Sequence, residues 1–221
     1  MIYVMSDIHG NLSRFRSIMY KIDLQATDHL YVIGDVIDRF PDGLAILQEM
    51  MKMPNCTVLL GDHEWMLNNM VSHAFSETTR DLWFWNGGKV TYADLLKLPI
   101  AKQNQIIQFI RRMPVVKDVC INGNDYLLVH GAPPELYNAY SYEYDNVDDF
   151  VVWHRLTEED ELHENKIVVF GHTNTKYYQN GHPAKIWFGK NRIGIDCGSG
   201  SIGGRLACLR LDDMTEFYSD E

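Results

Sequence analysis

Five short motifs hold the side chains of this sequence that could do chemistry together. They are Ser6-Asp7-Ile8-His9-Gly10, Gly34-Asp35-Val36-Ile37-Asp38-Arg39, Gly61-Asp62-His63-Glu64, Val129-His130-Gly131 and Phe170-Gly171-His172-Thr173. Each follows an apolar run and contains glycine. Asp7, His9, Asp35, Asp62, His130 and His172 are hard oxygen donors and imidazoles with no thiolate among them. Such a set suits Mn²⁺, Zn²⁺ or iron. It exceeds what one structural ion takes and suits two ions ~3.5–4 Å apart that share a carboxylate. Cations also make so many acids tolerable together, because bare carboxylates repel and raise one another's pKa. Taken singly, each motif has a plainer reading: Asp-x-His is a turn with a capping aspartate, and a lone His130 or His172 is a satisfied buried histidine. The five motifs in this order outweigh that reading.

Bringing segments this far apart to one place requires a particular kind of fold. Ile2 to Met5, His29 to Ile33 and Cys56 to Leu60 are apolar runs that predict strands. Between them lie helical patterns over Leu12, Phe15, Ile18, Met19 and Ile22, then over Leu44, Ile46, Leu47, Met50 and Met51. Pro41 is expected in the first turn of the second helix, where its missing N–H costs nothing. This alternation predicts an α/β fold with parallel strands, and in such sheets a site lies beyond the carboxyl ends of the strands. Further strand signals fall at Tyr126–Val129, Ile167–Phe170, Ile193–Ile195 and Arg205–Leu211. Residues 76–113 are mostly helical in pattern and open with Trp83, Phe84 and Trp85 before Asn86-Gly87-Gly88. They are expected to form an inserted lobe within one domain over residues 1–221.

The chain has 221 residues and a formal net charge of −10. That balance disfavours nucleic acid and anionic membrane surfaces as partners, since both call for excess positive charge. The acid is concentrated: residues 143–164 carry nine acids and one base, and residues 212–221 five acids and no base. Such runs read as a solvated loop and tail. Cys56, Cys120, Cys197 and Cys208 form no C-x-x-C pair and are expected to be reduced thiols. No apolar stretch approaches a membrane span, and the start of the chain lacks a secretory pattern, so a cytoplasmic location is expected.

In this order, Asp-x-His-Gly, Gly-Asp-x-x-Asp-Arg, Gly-x-His-Glu, His-Gly and Gly-His-Thr resemble the metal-dependent phosphoprotein phosphatases of the calcineurin-like fold. The likeness is nearest to the small bacterial and phage branch typified by bacteriophage lambda phosphatase. That branch shares the aromatic run before Asn-Gly-Gly, a Trp-x-Arg segment as in Trp153-His154-Arg155, and the ending Ile195-Asp196-Cys197-Gly198. The resemblance covers nearly the whole chain. It implies a calcineurin-like β-sandwich flanked by helices, with two divalent metal ions, Mn²⁺ foremost and Fe or Zn²⁺ as alternatives. By the same resemblance Asp7, His9 and Asp35 bind the first ion, and Asp35 bridges to a second held by Asp62, His130 and His172. His63 is then the general acid, oriented by Asp38; Arg39 and Arg155 grip phosphate oxygens, and Glu64 is structural. The implied reaction is hydrolysis of phosphoserine or phosphothreonine esters in a protein or peptide, with phosphotyrosine a further candidate, by direct attack of a metal-bridging hydroxide. An imidazole titrates near neutral pH, as a general acid should, and guanidinium forks match phosphate.

Three positions depart from the family pattern. Phe40 stands where glycine is usual, Ala132 occupies a variable position, and Asp62 replaces an asparagine. Aspartate keeps an oxygen for metal but loses the amide donor and adds a negative charge. Two other functions therefore remain open: a symmetrical dinucleoside tetraphosphatase, since the same centre can cleave an anhydride, and a low-activity metal-binding protein that recognises phosphorylated partners. Trp83, Trp85 and Trp153 could stack a base, although packing is the commoner role. The sequence leaves the oligomeric state undetermined.

Overall fold

The computed structural model describes residues 1–72, 76–163, 165–181 and 183–220; Glu164 and Glu221, which close the two acidic stretches, lie outside them. The chain opens with strand β1 (Ile2–Met5), helix α1 (Leu12–Ile22), β2 (His29–Val32), α2 (Gly43–Met50) and β3 (Cys56–Val58). Helices α3 (Asp62–Val71), α4 (Glu77–Trp85), α5 (Lys89–Lys97) and α6 (Ile100–Ile110) follow. Strands β4 (Val116–Ile121) and β5 (Asn124–Val129) form a hairpin, and short helices α7 (Tyr137–Tyr140) and α8 (Val147–Trp153) come next. Strands β6 (Ile167–Phe170), β7 (Trp187–Gly189), β8 (Arg192–Gly194), β9 (Ala207–Arg210) and β10 (Thr215–Tyr218) complete the described chain.

Two mixed sheets result, in the orders β10-β9-β1-β2-β3 and β4-β5-β6-β8-β7. In the first, β1, β2 and β3 run parallel; in the second, β5, β6 and β8 do. Side chains alternate between faces along each strand. Val4, Tyr31 and Ile33 therefore meet Tyr126, Leu128, Val169 and Ile193 between the sheets. The neighbours Tyr3, Met5, Leu30 and Val32 point the other way, onto Phe15 and Ile18 of α1 and Leu44 and Leu47 of α2. Trp83, Leu95, Ile106 and Ile110 of α4–α6 join that same core. On the far side Leu127, Val129, Val168 and Phe170 pack on Phe150 and Val151 of α8. Each fully buried side chain of this kind contributes roughly 1.5–3 kcal/mol.

Several boundaries differ from the sequence expectation. Helix α2 starts at Gly43 behind its N-cap Asp42, so Pro41 precedes the helix rather than sitting in its first turn. Strand β3 ends at Val58 and β8 at Gly194, each short of the apolar run that announced it. Strands β4, β7 and β10 carry no expectation at all, and all three lie at sheet edges.

Candidate metal centre

All five motifs fall just beyond the carboxyl ends of parallel strands: β1, β2 and β3 in one sheet, β5 and β6 in the other. The two sheets thus bring residues from 7 to 172 into one buried cluster. The turns there are tight and strained. Of ten non-glycine residues with positive φ among the described residues, six are Asp7, His9, Asp35, Asp38, Arg39 and His172, at φ between 52° and 71°. Such backbone persists only where the surroundings enforce it, and it concentrates at functional sites. Two glycines show the crowding. A Cβ on Gly61 would fall 2.4 Å from Asp35 Oδ1, and one on Gly171 would fall 2.3 Å from Asp7 Oδ2.

Glu64 enforces the second turn. Its carboxylate is fully buried and accepts the backbone N–H groups of Asp35 at 2.9 Å, Val36 at 2.9 Å and Ile37 at 3.2 Å. It thereby fixes the segment that presents Asp35, Asp38 and Arg39.

The candidate ligands form two groups that share Asp35. Asp35, Asp62, His130 and His172 offer ligand atoms all within 4.8 Å of one another, and so do His9, Asp35 and His63. His130 Nε2 lies 2.9 Å from Asp62 Oδ1 and 3.4 Å from Asp35 Oδ1, and His172 Nδ1 lies 3.0 Å from Asp62 Oδ1. On the other side of Asp35, its Oδ2 is 3.5 Å from His9 Nε2 and 3.8 Å from His63 Nε2. Asp7 stands outside both groups; its Oδ1 is 3.9 Å from His9 Nε2, and its carboxylate accepts the backbone N–H of His172 and the Ser6 hydroxyl.

The outer hydrogen bonds fit metal ligation. His9 Nδ1 donates to Ile37 O at 3.3 Å, His130 Nδ1 to Ile33 O at 2.8 Å, and His172 Nε2 to Trp153 O at 3.1 Å. Each ring therefore spends one nitrogen on a backbone carbonyl and turns the other toward the carboxylates, the arrangement that orients imidazole ligands.

The charges also call for cations. Burial, aided by the charge of Asp62, lifts Asp35 to about 7, and burial with the charge of Asp35 lifts Asp7 to about 6. Asp196, which the sequence left without a role, is likewise lifted to about 7 by burial and by Asp7. Asp62 goes the other way: burial opposes its ionisation, but His172, His63 and the hydrogen bonds from His130 and His172 hold it well below the usual carboxylate range. A divalent ion would relieve the raised acids directly.

Beside the cluster, His63 Nδ1 donates to Asp38 Oδ2 at 2.6 Å, and its Nε2 lies 3.3 Å from Arg39 Nη2. Burial disfavours a charged His63, but Asp35, Asp62 and Asp38 outweigh it and lift the ring to about 10. Arg39 and Arg155 line one cleft together with His172 and Asp196. Arg155 is anchored by donating Nη1–H to His172 O at 2.7 Å. Of the three tryptophans, Trp83 is fully buried and Trp153 packs edge-on against Trp65 at 5.7 Å, while Trp85 is exposed. No sequence signal announces that Trp83 reaches Asp38, yet its Nε1–H donates to Asp38 Oδ2 at 2.7 Å.

A family model described as calcineurin-like phosphoesterase matches residues 1–196, which include every candidate residue above. The symmetrical bis(5'-nucleosyl)-tetraphosphatase of Erwinia tasmaniensis is 26% identical over 52% of this chain and 39% of its own length. Serine/threonine-protein phosphatase 1 of Salmonella typhimurium is 27% identical over 70% of this chain and 68% of its own. The chain thus spans about two fifths of the length of the tetraphosphatase it matches. A metallophosphoesterase structure from Sphaerobacter thermophilus superposes with a TM-score of 0.61 at 15% identity, covering 99% of this chain and 88% of that one. With the two helix-flanked mixed sheets and the paired ligand groups on one strand edge, these matches place the chain in the calcineurin-like phosphoesterase family.

Proposed function

We propose that this chain is a two-metal phosphomonoesterase acting on phosphoserine and phosphothreonine in proteins or peptides, with phosphotyrosine a further substrate. Asp35, shared between the two ligand groups, is the observation that carries the reading. Asp7, His9 and Asp35 would hold one ion, and Asp35, Asp62, His130 and His172 the other, with Mn²⁺ the first candidate and Fe or Zn²⁺ the alternatives. When bound, two such ions lower the pKa of water to near neutrality and polarise the phosphoryl group.

The chain's own residues do the rest. Arg39 and Arg155 face one cleft and take the phosphate oxygens as planar forks. His63 keeps Nδ1 on Asp38, which leaves Nε2 as the nitrogen that would protonate the leaving oxygen. A serine or threonine alkoxide is a poor leaving group and needs that proton. This requirement supports an ester over an anhydride, whose leaving phosphate departs readily. The Salmonella phosphatase, with comparable coverage of both chains, supports the same choice and a place near the bacterial and phage protein phosphatases. Among the described residues no helix is long and apolar enough to cross a membrane; we place the enzyme in the cytoplasm, with neither nucleic acid nor membrane as partner.

The second reading, a symmetrical dinucleoside tetraphosphatase, is supported by the several relatives of that name. Turnover of a phosphoserine peptide, p-nitrophenyl phosphate and diadenosine tetraphosphate with Mn²⁺, then with chelator, tests both. The proposal expects chelator-sensitive hydrolysis of the peptide, and a His63→Asn loss of ~10²–10⁴-fold in kcat that is largest on it. Efficient cleavage of the tetraphosphate alone would establish the alternative.

A further inference from the structure

The segment from Trp83 to Thr91 grips the residues assigned above to acid catalysis and phosphate binding. The Trp83 indole N–H donates to Asp38 Oδ2 at 2.7 Å, and the Asp38 backbone N–H donates to Thr91 Oγ1 at 3.0 Å. Between them, Gly87 O accepts the backbone N–H of Arg39 at 3.3 Å. A Cβ on Gly88 would fall 2.3 Å from Trp83 Nε1, so glycine there clears the space the indole fills. Trp83 and Asp38 are fully buried and Thr91 nearly so.

All the hydrogen bonding of the Asp38 carboxylate rests on one oxygen. Oδ2 accepts from both His63 Nδ1 and Trp83 Nε1, whereas Oδ1 has no hydrogen-bond partner among the described residues. Without the indole, only the imidazole would restrain the carboxylate, and the two could rotate together. Asp38 also sits at φ 71°, a strained backbone that its Thr91 contact helps to hold.

We propose that Trp83 and Thr91 are positioning residues for His63, acting through Asp38. The inference rests on the reading of His63 as the acid, so its test needs a readout independent of turnover. On the whole Mn²⁺-loaded chain, Trp83→Phe keeps an aromatic ring and removes the indole N–H with its second ring. It is expected to lower kcat on a phosphoserine peptide about tenfold, with KM within about twofold. On p-nitrophenyl phosphate, whose leaving group needs less protonation, the loss is expected to be smaller. Thr91→Val, nearly isosteric, is expected to act in the same direction, and exposed Trp85→Phe in neither. In the metal-free protein, the hydrogen-bonded His63 imidazole N–H resonance, assigned by its loss in His63→Asn, is expected to move in Trp83→Phe. An unmoved resonance, or equal losses on both substrates where His63→Asn does depend on the leaving group, overturns the proposal. If instead the resonance moves while His63→Asn shows no leaving-group dependence, the positioning stands and the reading of His63 as the acid fails.

Discussion

Asp62 is the candidate metal ligand at which the chain departs from the pattern it resembles, and its surroundings explain how the substitution is accommodated. One oxygen serves two imidazoles, 2.9 Å from His130 and 3.0 Å from His172. Those contacts pull the carboxyl pKa down against the cost of burial. An asparagine would offer the same oxygen and add an amide donor for phosphate, with one negative charge fewer. We expect Asp62→Asn to raise kcat/KM on a phosphopeptide about tenfold at saturating Mn²⁺, or ~1.4 kcal/mol in barrier, while weakening Mn²⁺ binding. Unchanged kcat and KM would remove Asp62 as a brake on turnover. At this scale most of the centre is legible in sequence, because Asp and His beside glycine at strand ends carry their chemistry in their type. Trp83 and Thr91 are not legible: an aromatic or a threonine in a helix gives no hint of a hydrogen bond to a residue about fifty positions away.

The elements work as a frame that forces strained turns into place. Gly61 is the clearest case, since any Cβ there would strike the Asp35 carboxylate at 2.4 Å and its backbone N at 2.5 Å. Gly61→Ala is expected to cut Mn²⁺ affinity at least about tenfold, as loss of ligand support does elsewhere, with an unchanged far-ultraviolet spectrum. Calorimetric titration decides it, and wild-type affinity would show that the turn relaxes at no cost. The central strands were readable from their apolar runs because they are covered on both faces. The unread strands β4, β7 and β10 are edges, where exposure breaks the pattern: β4 reads Val-Lys-Asp-Val-Cys-Ile with only Ile121 buried. Turn chemistry held the missing signal. Asn122-Gly123, both at positive φ, link β4 to β5 as a two-residue hairpin of the type that pair favours. The acidic stretch likewise hid structure. Asn146 caps α8 with Asp148 and Asp149 in its first turn, and buried Asp160 accepts the Tyr140 hydroxyl at 2.6 Å. Acids near a helix N-terminus are stabilising, so composition alone mistook part of a framework for a solvated loop.

At the scale of the whole molecule, the centre stores an electrostatic conflict that metal resolves. His63, lifted to about 10, and His130, raised well above its usual range against burial by Asp35 and Asp62, bind more protons folded than unfolded above the ordinary imidazole pKa. The stability this gives is complete below pH ~6.5 and is lost as pH rises toward the folded values. Metal-free protein should therefore lose on the order of 2 kcal/mol from His63 alone between about pH 7 and pH 9. With Mn²⁺ bound, cations replace protons as partners of the carboxylates, and the slope should flatten. Thermal unfolding at the two pH values, with chelator and with Mn²⁺, checks this; a pH-independent metal-free Tm would contradict it.

The shared Asp35 makes the most exposed claim, because it requires two ions held as a pair. Metal analysis and electron paramagnetic resonance of the Mn²⁺-reconstituted chain, alongside its phosphopeptide turnover, test that claim directly. We predict two ions per chain, a spin-coupled Mn²⁺ signal, and turnover lost on chelation and restored by Mn²⁺. A single ion per chain with an uncoupled signal, or turnover that survives chelation, would contradict it.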